Sequence, residues 1–295
     1  MRNRFARQIG ARMKSLKDCY ELQNGVKIPC VGFGTWQTPD GEIAISSVKN
    51  AIAQGYRHID TAAGYGNEES IGIAVKQSGI KREELFITSK LQNLDHGYEN
   101  TLAAFEQTMK NLDMAYLDLY LIHWPNPLKY RDMWKEANAG SWKAFEELYA
   151  SGRIRAIGIS NFCERHIEEL LKTATIAPMI NQIRLCPGDT QDELVAYCKS
   201  KNILLEAYSP LGTGKIFEVD EMKVLADKYG KSIAQICIRW SLQMGFLPLP
   251  KSVTESRIKE NTEVFDFELS DQDVQAISNL KGCCGNAGDP DTKTF

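Results

Sequence analysis

An aspartate and a tyrosine follow one another closely at the end of a short apolar segment. Asp60 ends the segment Tyr56–Asp60, and Tyr65 lies in the loop of small residues that comes next. A buried aspartate is costly unless a cation or hydrogen bonds pair it. A cation held by Asp60 beside this loop would lower the pKa of the Tyr65 hydroxyl from about 10. The two residues therefore predict a proton donor, if the chain also supplies the cation.

Two further candidates stand at the ends of apolar segments. Lys90 ends Phe86–Lys90 and can supply the cation for Asp60, although a lysine in this context is more often a surface residue whose stem covers apolar neighbours. His123 follows Leu119–Ile122. A neutral imidazole there can donate a hydrogen bond to a carbonyl oxygen, whereas most lone histidines of this kind are core residues. No second histidine or carboxylate has metal-ligand spacing, so we predict no metal site.

The composition is that of an ordinary globular protein. The chain has 295 residues, of which 43% are hydrophobic and 25% charged. A net charge of −3 gives no reason to expect nucleic acid or an anionic membrane as a partner. No apolar run reaches the roughly 20 residues needed to span a bilayer. We expect a small-molecule partner, no nucleic acid and no membrane.

The eight cysteines include no C-x-x-C pair and are scattered as reduced thiols are. A strained redox disulfide between the adjacent Cys283 and Cys284 is the less favoured alternative to free thiols. The simplest interpretation is a cytoplasmic protein. Residues 1–18 are basic and resemble a weak organellar transit peptide, but their low serine content favours a disordered extension. We expect a single domain over 19–295.

After an Asn24-Gly25 hairpin signal, the chain alternates strand and helix patterns to its end. Eight strands without a linker-like break predict one closed parallel (β/α)8 TIM barrel. An open dinucleotide-binding sheet is the alternative, but Gly32–Thr35 lacks the third glycine of its usual motif. The predicted strands are Val31–Thr35, Arg57–Thr61, Leu85–Lys90, Leu117–His123, Ala156–Ser160, Met179–Ile183, Leu204–Ser209 and Phe246–Pro250.

Polar or aromatic residues stand at the carboxyl end of every predicted strand, which is where such barrels carry their chemistry. This regularity predicts a functional site above an apolar core. The residues are Thr35-Trp36, Asp60, Lys90, His123-Trp124, Ser160-Asn161, Gln182, Tyr208-Ser209 and Lys251-Ser252.

Several segments together, in this order, resemble the aldo-keto reductase superfamily over about residues 19–282. They are the N-terminal hairpin, Gly32–Trp36, Asp60–Ala62 with Tyr65, Thr88–Lys90, Leu121–Pro125, Gly158–Phe162, Asn181-Gln182, Tyr208–Gly212 and Pro250–Ser252. The resemblance implies a barrel with a hairpin capping its bottom and binding of NADPH or NADP+. It implies reduction of aldehydes and ketones, with hydride from nicotinamide C4. Tyr65 would be the general acid, tuned by Lys90 with Asp60, and His123 would orient the carbonyl.

The resemblance also implies the cofactor contacts. Ser160, Asn161 and Gln182 would bind the carboxamide, and the Tyr208 ring would stack on the nicotinamide. A phosphate dianion suits a site with two cations and a hydroxyl, which here are Lys251, Arg257 and Ser252. By the resemblance these residues would form the pocket for the adenosine 2′-phosphate. The alternative is that they are only the solvated start of a helix. Glu260 and Asn261 would lie near adenine. The remaining predicted cofactor residues are Gly34, Thr35, Trp36, Asp60, Ser209, Leu211, Gly212 and Val253.

The pocket for a small carbonyl substrate would be lined by Trp36, Tyr65, His123 and Trp124, with the tail after Lys281 as a specificity segment. One departure from the family pattern is Ile183–Pro187, which leaves the subfamily open. We expect a monomer or weak dimer. Two alternatives stay open: a non-catalytic regulatory subunit of the same fold, and a barrel lyase or isomerase acting on a phosphorylated substrate.

Overall fold

A parallel sheet of eight strands forms the centre of the protein in the computed structural model, which describes residues 13–295. Each predicted strand overlaps one of them, and neighbours in the chain are neighbours in the sheet. Two backbone hydrogen bonds, from Gly32 and Gly34 to the carbonyls of Pro248 and Pro250, join the first strand to the last and close the barrel. The strands are β3 Phe33–Gly34, β4 His58–Asp60, β5 Phe86–Leu91, β6 Leu117–Ile122, β7 Ile154–Ser160, β8 Ile180–Arg184, β9 Leu204–Tyr208 and β10 Leu247–Leu249.

Helices alternate with the strands and bury their apolar faces against the sheet. Their ends follow local sequence signals; for example, Ser232 and Gln235 form a capping box at the start of the helix Ile233–Gln243. The helices are α1 Glu42–Ala53, α2 Glu68–Gln77, α3 Tyr98–Leu112, α4 Trp134–Ala150, α5 Glu164–Leu171, α6 Asp192–Ser200, α7 Asp220–Tyr229, α8 Ile233–Gln243, α9 Glu255–Glu260 and α10 Asp271–Asn279. The (β/α)8 architecture expected from the sequence is therefore confirmed.

The predicted hairpin consists of β1 Cys19–Glu21 and β2 Lys27–Pro29. Its side chains reach the amino ends of barrel strands: the Tyr20 hydroxyl donates to the Phe246 carbonyl at 3.1 Å, and the Asn24 amide donates to the Arg155 carbonyl at 2.9 Å. The hairpin thus covers the bottom of the barrel, and the other end stays available for chemistry.

Residues before the hairpin contact the barrel. Met13 is buried, and its carbonyl accepts a hydrogen bond of 3.2 Å from Arg239 on α8. The Asp18 carboxylate accepts from the Ser15 backbone at 3.1 Å and closes a turn there. Within residues 13–18 the chain therefore already contacts the domain, while the boundary at 18 stays a prediction. The rest of that extension, 1–12, lies outside the described residues.

No helix within 13–295 is long and apolar enough to cross a membrane. All eight cysteines are free thiols.

The C-terminal segment crosses the carboxyl ends of the strands. Arg184 at the end of β8 donates to the Cys284 carbonyl at 2.7 Å. Further along, Asp291 accepts from Asn126 at 2.8 Å and from Arg165 Nε at 2.8 Å. We call residues 282–295 the tail. The residues that bind the tail follow β6 and β7 or end β8, so the tail forms one side of the barrel mouth.

Candidate active site

The four candidate catalytic residues come from three consecutive strands. Asp60 ends β4, Lys90 lies near the end of β5, and His123 follows β6 directly. Tyr65 ends a short 3-10 turn, Ala63–Tyr65, that follows β4. Since parallel neighbours bring their carboxyl ends together, the sheet gathers these residues at one side of the mouth.

The ammonium of Lys90 is the centre of this group. Its Nζ donates to Asp60 Oδ1 at 2.7 Å, to the Thr61 carbonyl at 2.9 Å and to the Tyr65 hydroxyl at 3.3 Å. The lysine is fully buried, and Asp60 is nearly so. The surface-lysine alternative is therefore wrong, and Lys90 is the cation that the buried Asp60 needed. The rings of Tyr65 and His123 meet edge to face, with centroids 5.7 Å apart.

The protonation of Tyr65 differs from the expectation. Burial raises the pKa of Tyr65, and the nearby charge of Lys90 only partly offsets this effect. Burial of the ammonium acts to lower the pKa of Lys90, but the effects of Asp60 and Tyr65 together outweigh burial and raise it. The predicted lowering of the Tyr65 pKa is therefore wrong. At neutral pH the site holds a neutral phenol beside a charged ammonium.

His123 is uncharged in this setting. Burial, with a smaller effect of the charge on Lys90, lowers the pKa of His123 to about 3. The backbone carbonyl of His123 accepts a hydrogen bond of 3.0 Å from Asn161 Nδ2. A neutral imidazole in this position can donate one N–H bond to an oxygen placed between it and Tyr65.

The residues expected at the carboxamide form one hydrogen-bonded group. Asn161 has a left-handed backbone with φ 62°, its Nδ2 donates to Ser160 Oγ at 3.1 Å, and its Oδ1 accepts from the Tyr208 hydroxyl at 2.8 Å. Ser160 Oγ donates to the Gln182 carbonyl at 2.8 Å. The group connects the ends of β7, β8 and β9 and holds the Tyr208 ring at the mouth.

Gln182 connects this group to the catalytic residues. Its Nε2 donates to Asp60 Oδ2 and to Glu206 Oε2, both at 2.8 Å. Sequence analysis did not single out Glu206. The available signal was a glutamate within the apolar strand segment Leu204–Ala207, where a buried acid needs a partner.

The predicted phosphate residues lie apart from the catalytic group, on the loop after β10. Lys251 Nζ donates to the Gln37 carbonyl at 3.1 Å, next to Trp36, whereas Arg257 is exposed on α9. Within 13–295 neither cation forms an ion pair with a carboxylate. Two uncompensated cations near each other along the chain suit an anionic group of a ligand.

The other predicted cofactor residues lie at strand ends, on the loops that follow them and at the end of α9. Gly34, Thr35 and Trp36 follow or end β3, and Thr35 Oγ1 donates to the Asp60 carbonyl at 2.9 Å. Ser209, Leu211 and Gly212 follow β9. Ser252 and Val253 lie between β10 and α9, while Glu260 and Asn261 lie at the end of α9. A side chain at Gly212 would stand 2.4 Å from Cys284 Sγ, so the tail requires a glycine there.

The two predicted substrate tryptophans differ in their surroundings. Trp36 is 47% exposed, whereas Trp124 packs edge to face against Phe295 with centroids 5.0 Å apart. A small cavity lies between Trp124, Asn161 and Pro290 of the tail. Phe295 thus adds to the wall of the mouth. Sequence analysis named the tail after Lys281 as a whole but did not single out Phe295, because nothing in its local sequence marks it as part of a site.

Comparisons with known proteins show the family of this chain. The family model described as the aldo/keto reductase family matches residues 30–281. The chain belongs to the aldo/keto reductase family. As a member of this family it is an oxidoreductase of carbonyl compounds, as the resemblance implied.

Individual members of the aldo/keto reductase family are similar along nearly their whole length. Glyoxal reductase of Bacillus subtilis strain 168 is 52% identical over 266 residues, which are 90% of this chain and 94% of that protein. An aldo/keto reductase from Brucella melitensis has a TM-score of 0.84 and 45% identity, covering 90% of this chain and 99% of the other. A Bombyx mori aldo-keto reductase solved in complex with NADP has a TM-score of 0.82 and 36% identity, covering 92% and 94%.

The residues of this aldo/keto reductase also suit a nicotinamide dinucleotide phosphate. Within the described chain no group donates to Gln182 Oε1, so this oxygen is available to accept from a carboxamide. The unpaired cations Lys251 and Arg257 suit a phosphate. Donors, acceptors and cations are thus distributed as such a ligand requires, while the roles of single residues stay predictions.

Proposed function

We propose that this protein is an NADPH-dependent reductase of small aldehydes and ketones in which Tyr65 is the proton donor. The observation that carries the proposal is the chain of contacts from the buried Asp60 through the buried Lys90 to the partly buried Tyr65 hydroxyl, with His123 at its side. NADPH supplies a hydride to the carbonyl carbon when it is bound. All other contributions come from residues of the chain.

The carbonyl oxygen is oriented between the His123 imidazole and the Tyr65 hydroxyl, because each can donate one hydrogen bond to it. The oxygen gains negative charge as it becomes an alkoxide, and the proton then passes to it from Tyr65 Oη. Lys90 Nζ, 3.3 Å from the hydroxyl, stabilises the phenolate that remains. Asp60 keeps Lys90 charged and in place. In alcohol oxidation the same tyrosine would act as the base.

Binding of NADPH would use the polar groups around the mouth. Ser160, Asn161 and Gln182 would bind the carboxamide, and Tyr208 would stack on the nicotinamide ring. Lys251, Ser252 and Arg257 would bind the 2′-phosphate, which favours NADPH over NADH. We include α-dicarbonyl compounds such as glyoxal among the substrates, since a relative with 52% identity is named a glyoxal reductase.

The test compares wild type with Tyr65→Phe. NADPH oxidation is followed with glyoxal, methylglyoxal and p-nitrobenzaldehyde, and cofactor binding is measured separately by quenching of tryptophan fluorescence. We expect wild type to reduce at least one aldehyde. In Tyr65→Phe we expect kcat to fall about 10²- to 10⁴-fold, because only the hydroxyl is removed, with an unchanged Kd for NADPH.

A variant that keeps most of the wild-type kcat would contradict the role of Tyr65. Quenching by NADPH without turnover of any carbonyl would instead support the regulatory-subunit alternative. If wild type neither binds NADPH nor reduces a carbonyl, the lyase or isomerase alternative is supported. In that case Lys251 and Arg257 would bind the phosphate of a substrate.

A further inference from the structure

A carboxyl group that the proposed reaction does not use lies in the middle of the barrel. Glu206 is fully buried on β9, where the strand register places it beside Gln182 of β8. A buried carboxyl group reduces stability unless other groups compensate for its lost hydration. The surroundings of Glu206 therefore indicate what it contributes.

The Gln182 amide is held between two carboxyl groups. Its Nε2 lies 2.8 Å from Asp60 Oδ2 and 2.8 Å from Glu206 Oε2, so both amide hydrogens are used. Asp60 is paired with Lys90, and an ionised carboxylate can only accept hydrogen bonds. The chemistry of Asp60 thus fixes which end of the amide faces it. Gln182 Oε1 is turned the other way, and no residue within 13–295 donates to it.

Of the two carboxyl groups that contact the Gln182 amide, Glu206 is the neutral one. Burial, with a smaller effect of the charge on Asp60, raises the pKa of Glu206 to about 8. The neighbouring His58 is also neutral, since burial lowers its pKa to about 3, and its Nε2 is 3.9 Å from Glu206 Oε1. The group around Gln182 therefore holds one cation, Lys90, and one anion, Asp60. Glu206 adds a hydrogen-bond acceptor without adding a second charge.

We propose that Glu206 is a positioning residue that holds the Gln182 amide with its oxygen directed at the NH2 group of the nicotinamide carboxamide. The proposal rests on the NADPH-dependent function above. With Asp60 alone, the NH2 end of Gln182 would still face Asp60, but one amide hydrogen would be unpaired and the amide could rotate over a range of angles about its Cγ–Cδ bond. The second acceptor on β9 prevents this rotation, because both hydrogens then point to fixed atoms, Asp60 Oδ2 and Glu206 Oε2.

The test uses a cofactor analogue that lacks the group in question. The 3-acetylpyridine analogue of NADP+ carries a methyl ketone in place of the carboxamide, so it has no NH2 to donate. Kd values for NADP+ and for the analogue are measured by quenching of tryptophan fluorescence, without turnover. We expect wild type to bind NADP+ about five- to tenfold more tightly than the analogue, the range for one hydrogen bond.

Two substitutions of Glu206 separate its acceptor from its bulk. Glu206→Met removes the acceptor at similar volume, and we expect the ratio of the two Kd values to fall to about 1 because Oε1 of Gln182 is no longer held. Glu206→Gln keeps a neutral acceptor, and we expect the wild-type ratio. If Glu206→Met does not fold, Glu206→Ala removes the same acceptor without adding volume.

Thr101→Val is the matched control. It removes the 2.9 Å hydrogen bond between the buried hydroxyls of Thr101 on α3 and Ser141 on α4, neither of which is a hydrogen-bond partner of Gln182 or Glu206. General loosening of the barrel would lower the urea midpoint and weaken both cofactors alike, so the ratio should stay at the wild-type value in this variant.

A wild-type ratio in Glu206→Met would overturn the proposal, and so would an equal affinity of wild type for both cofactors. In the second case turnover of aldehydes would still support the proposed function. If wild type neither binds NADP+ nor oxidises NADPH, the proposed function fails first, and the role of Glu206 fails with it.

Discussion

At the scale of single residues, burial and the charge of Lys90 have opposite effects on the pKa of the proton donor, Tyr65. Burial raises the pKa of Tyr65 more than Lys90 lowers it, so the phenol is neutral before the reaction. The effect of Lys90 becomes important as the proton leaves, because a cation 3.3 Å away stabilises the phenolate. Lys90 thus helps proton transfer without ionising Tyr65 in advance.

The buried pair of Lys90 and Asp60 predicts a non-additive effect on stability. We expect Lys90→Met to lower the free energy of unfolding by about 3–5 kcal/mol, because it leaves the Asp60 carboxylate buried without its cation. The double variant Asp60→Asn with Lys90→Met removes both charges and should lose less than Lys90→Met alone. Urea denaturation of wild type and the variants measures this. A double variant less stable than either single variant would contradict the explanation.

At the scale of elements, two segments complete the mouth: the loop after β10 with α9, and the tail. Neither belongs to a barrel strand, and both approach the catalytic end from the side. Differences in cofactor and substrate preference between relatives can therefore arise in these segments while the catalytic residues stay the same.

The loop and α9 predict the cofactor preference. Replacing Lys251 with Met and Arg257 with Ala should lower the NADPH/NADH ratio of kcat/KM at least tenfold, because both cations would bind the 2′-phosphate. Lys259→Ala is a matched control, since it removes an exposed cation from the same short helix, outside the predicted pocket. An unchanged ratio in the double variant, or an equal change in the control, would show that the phosphate binds elsewhere.

The tail predicts a local change in protease sensitivity. Asp291 accepts hydrogen bonds from Asn126 of the β6 loop and from Arg165 of α5. Asp291→Ala removes these contacts and the 2.9 Å contact with His166 Nε2, so we expect faster tryptic cleavage after Lys281 and Lys293, with little change in the midpoint of unfolding. Mass spectrometry of timed digests measures the cleavage. Asp220→Ala, an exposed carboxylate on α7, should leave its rate at the wild-type value.

At the scale of the whole molecule, the four histidines predict how stability depends on pH. Burial lowers the pKa of all four from 6.5: to about 3 for His58 and His123, to about 4 for His96, and by a smaller amount for His166. Above pH 6.5 these histidines are neutral in both the folded and the unfolded chain. Below pH 6.5 the unfolded chain binds protons at these four histidines that the folded chain does not. Glu206, whose pKa is raised to about 8, acts in the opposite direction but is one group against four, so the free energy of unfolding falls as the pH falls toward 4.

Urea midpoints measured at pH 7, 6 and 5 test this pH dependence. We expect a progressive decrease across the series, and a shallower decrease in His96→Gln, which removes one of the titrating groups. A midpoint that stays constant from pH 7 to pH 5 would show that the buried histidines do not control acid stability.

The order of the elements and the identity of the main site residues could be predicted from the sequence. Apolar strands alternating with amphipathic helices predict the barrel, because the two periodicities are local properties of the chain. In a parallel barrel the last residues of the strands share one end. Asp60, Lys90, His123 and Gln182 could therefore be placed at one mouth from their positions in the sequence and the family resemblance.

Only the tertiary structure decided the contacts and the charges. The Gln182 amide reaches Asp60 across 122 residues of sequence and also joins Glu206. Phe295 meets Trp124 at the mouth, and Met13 packs below with Arg239. Burial depends on everything packed around a group, so the raised pKa of Tyr65 could not be foreseen from its neighbours in sequence. The chain thus specifies its strand ends locally, while the distances and protonation states at those ends follow from the complete barrel.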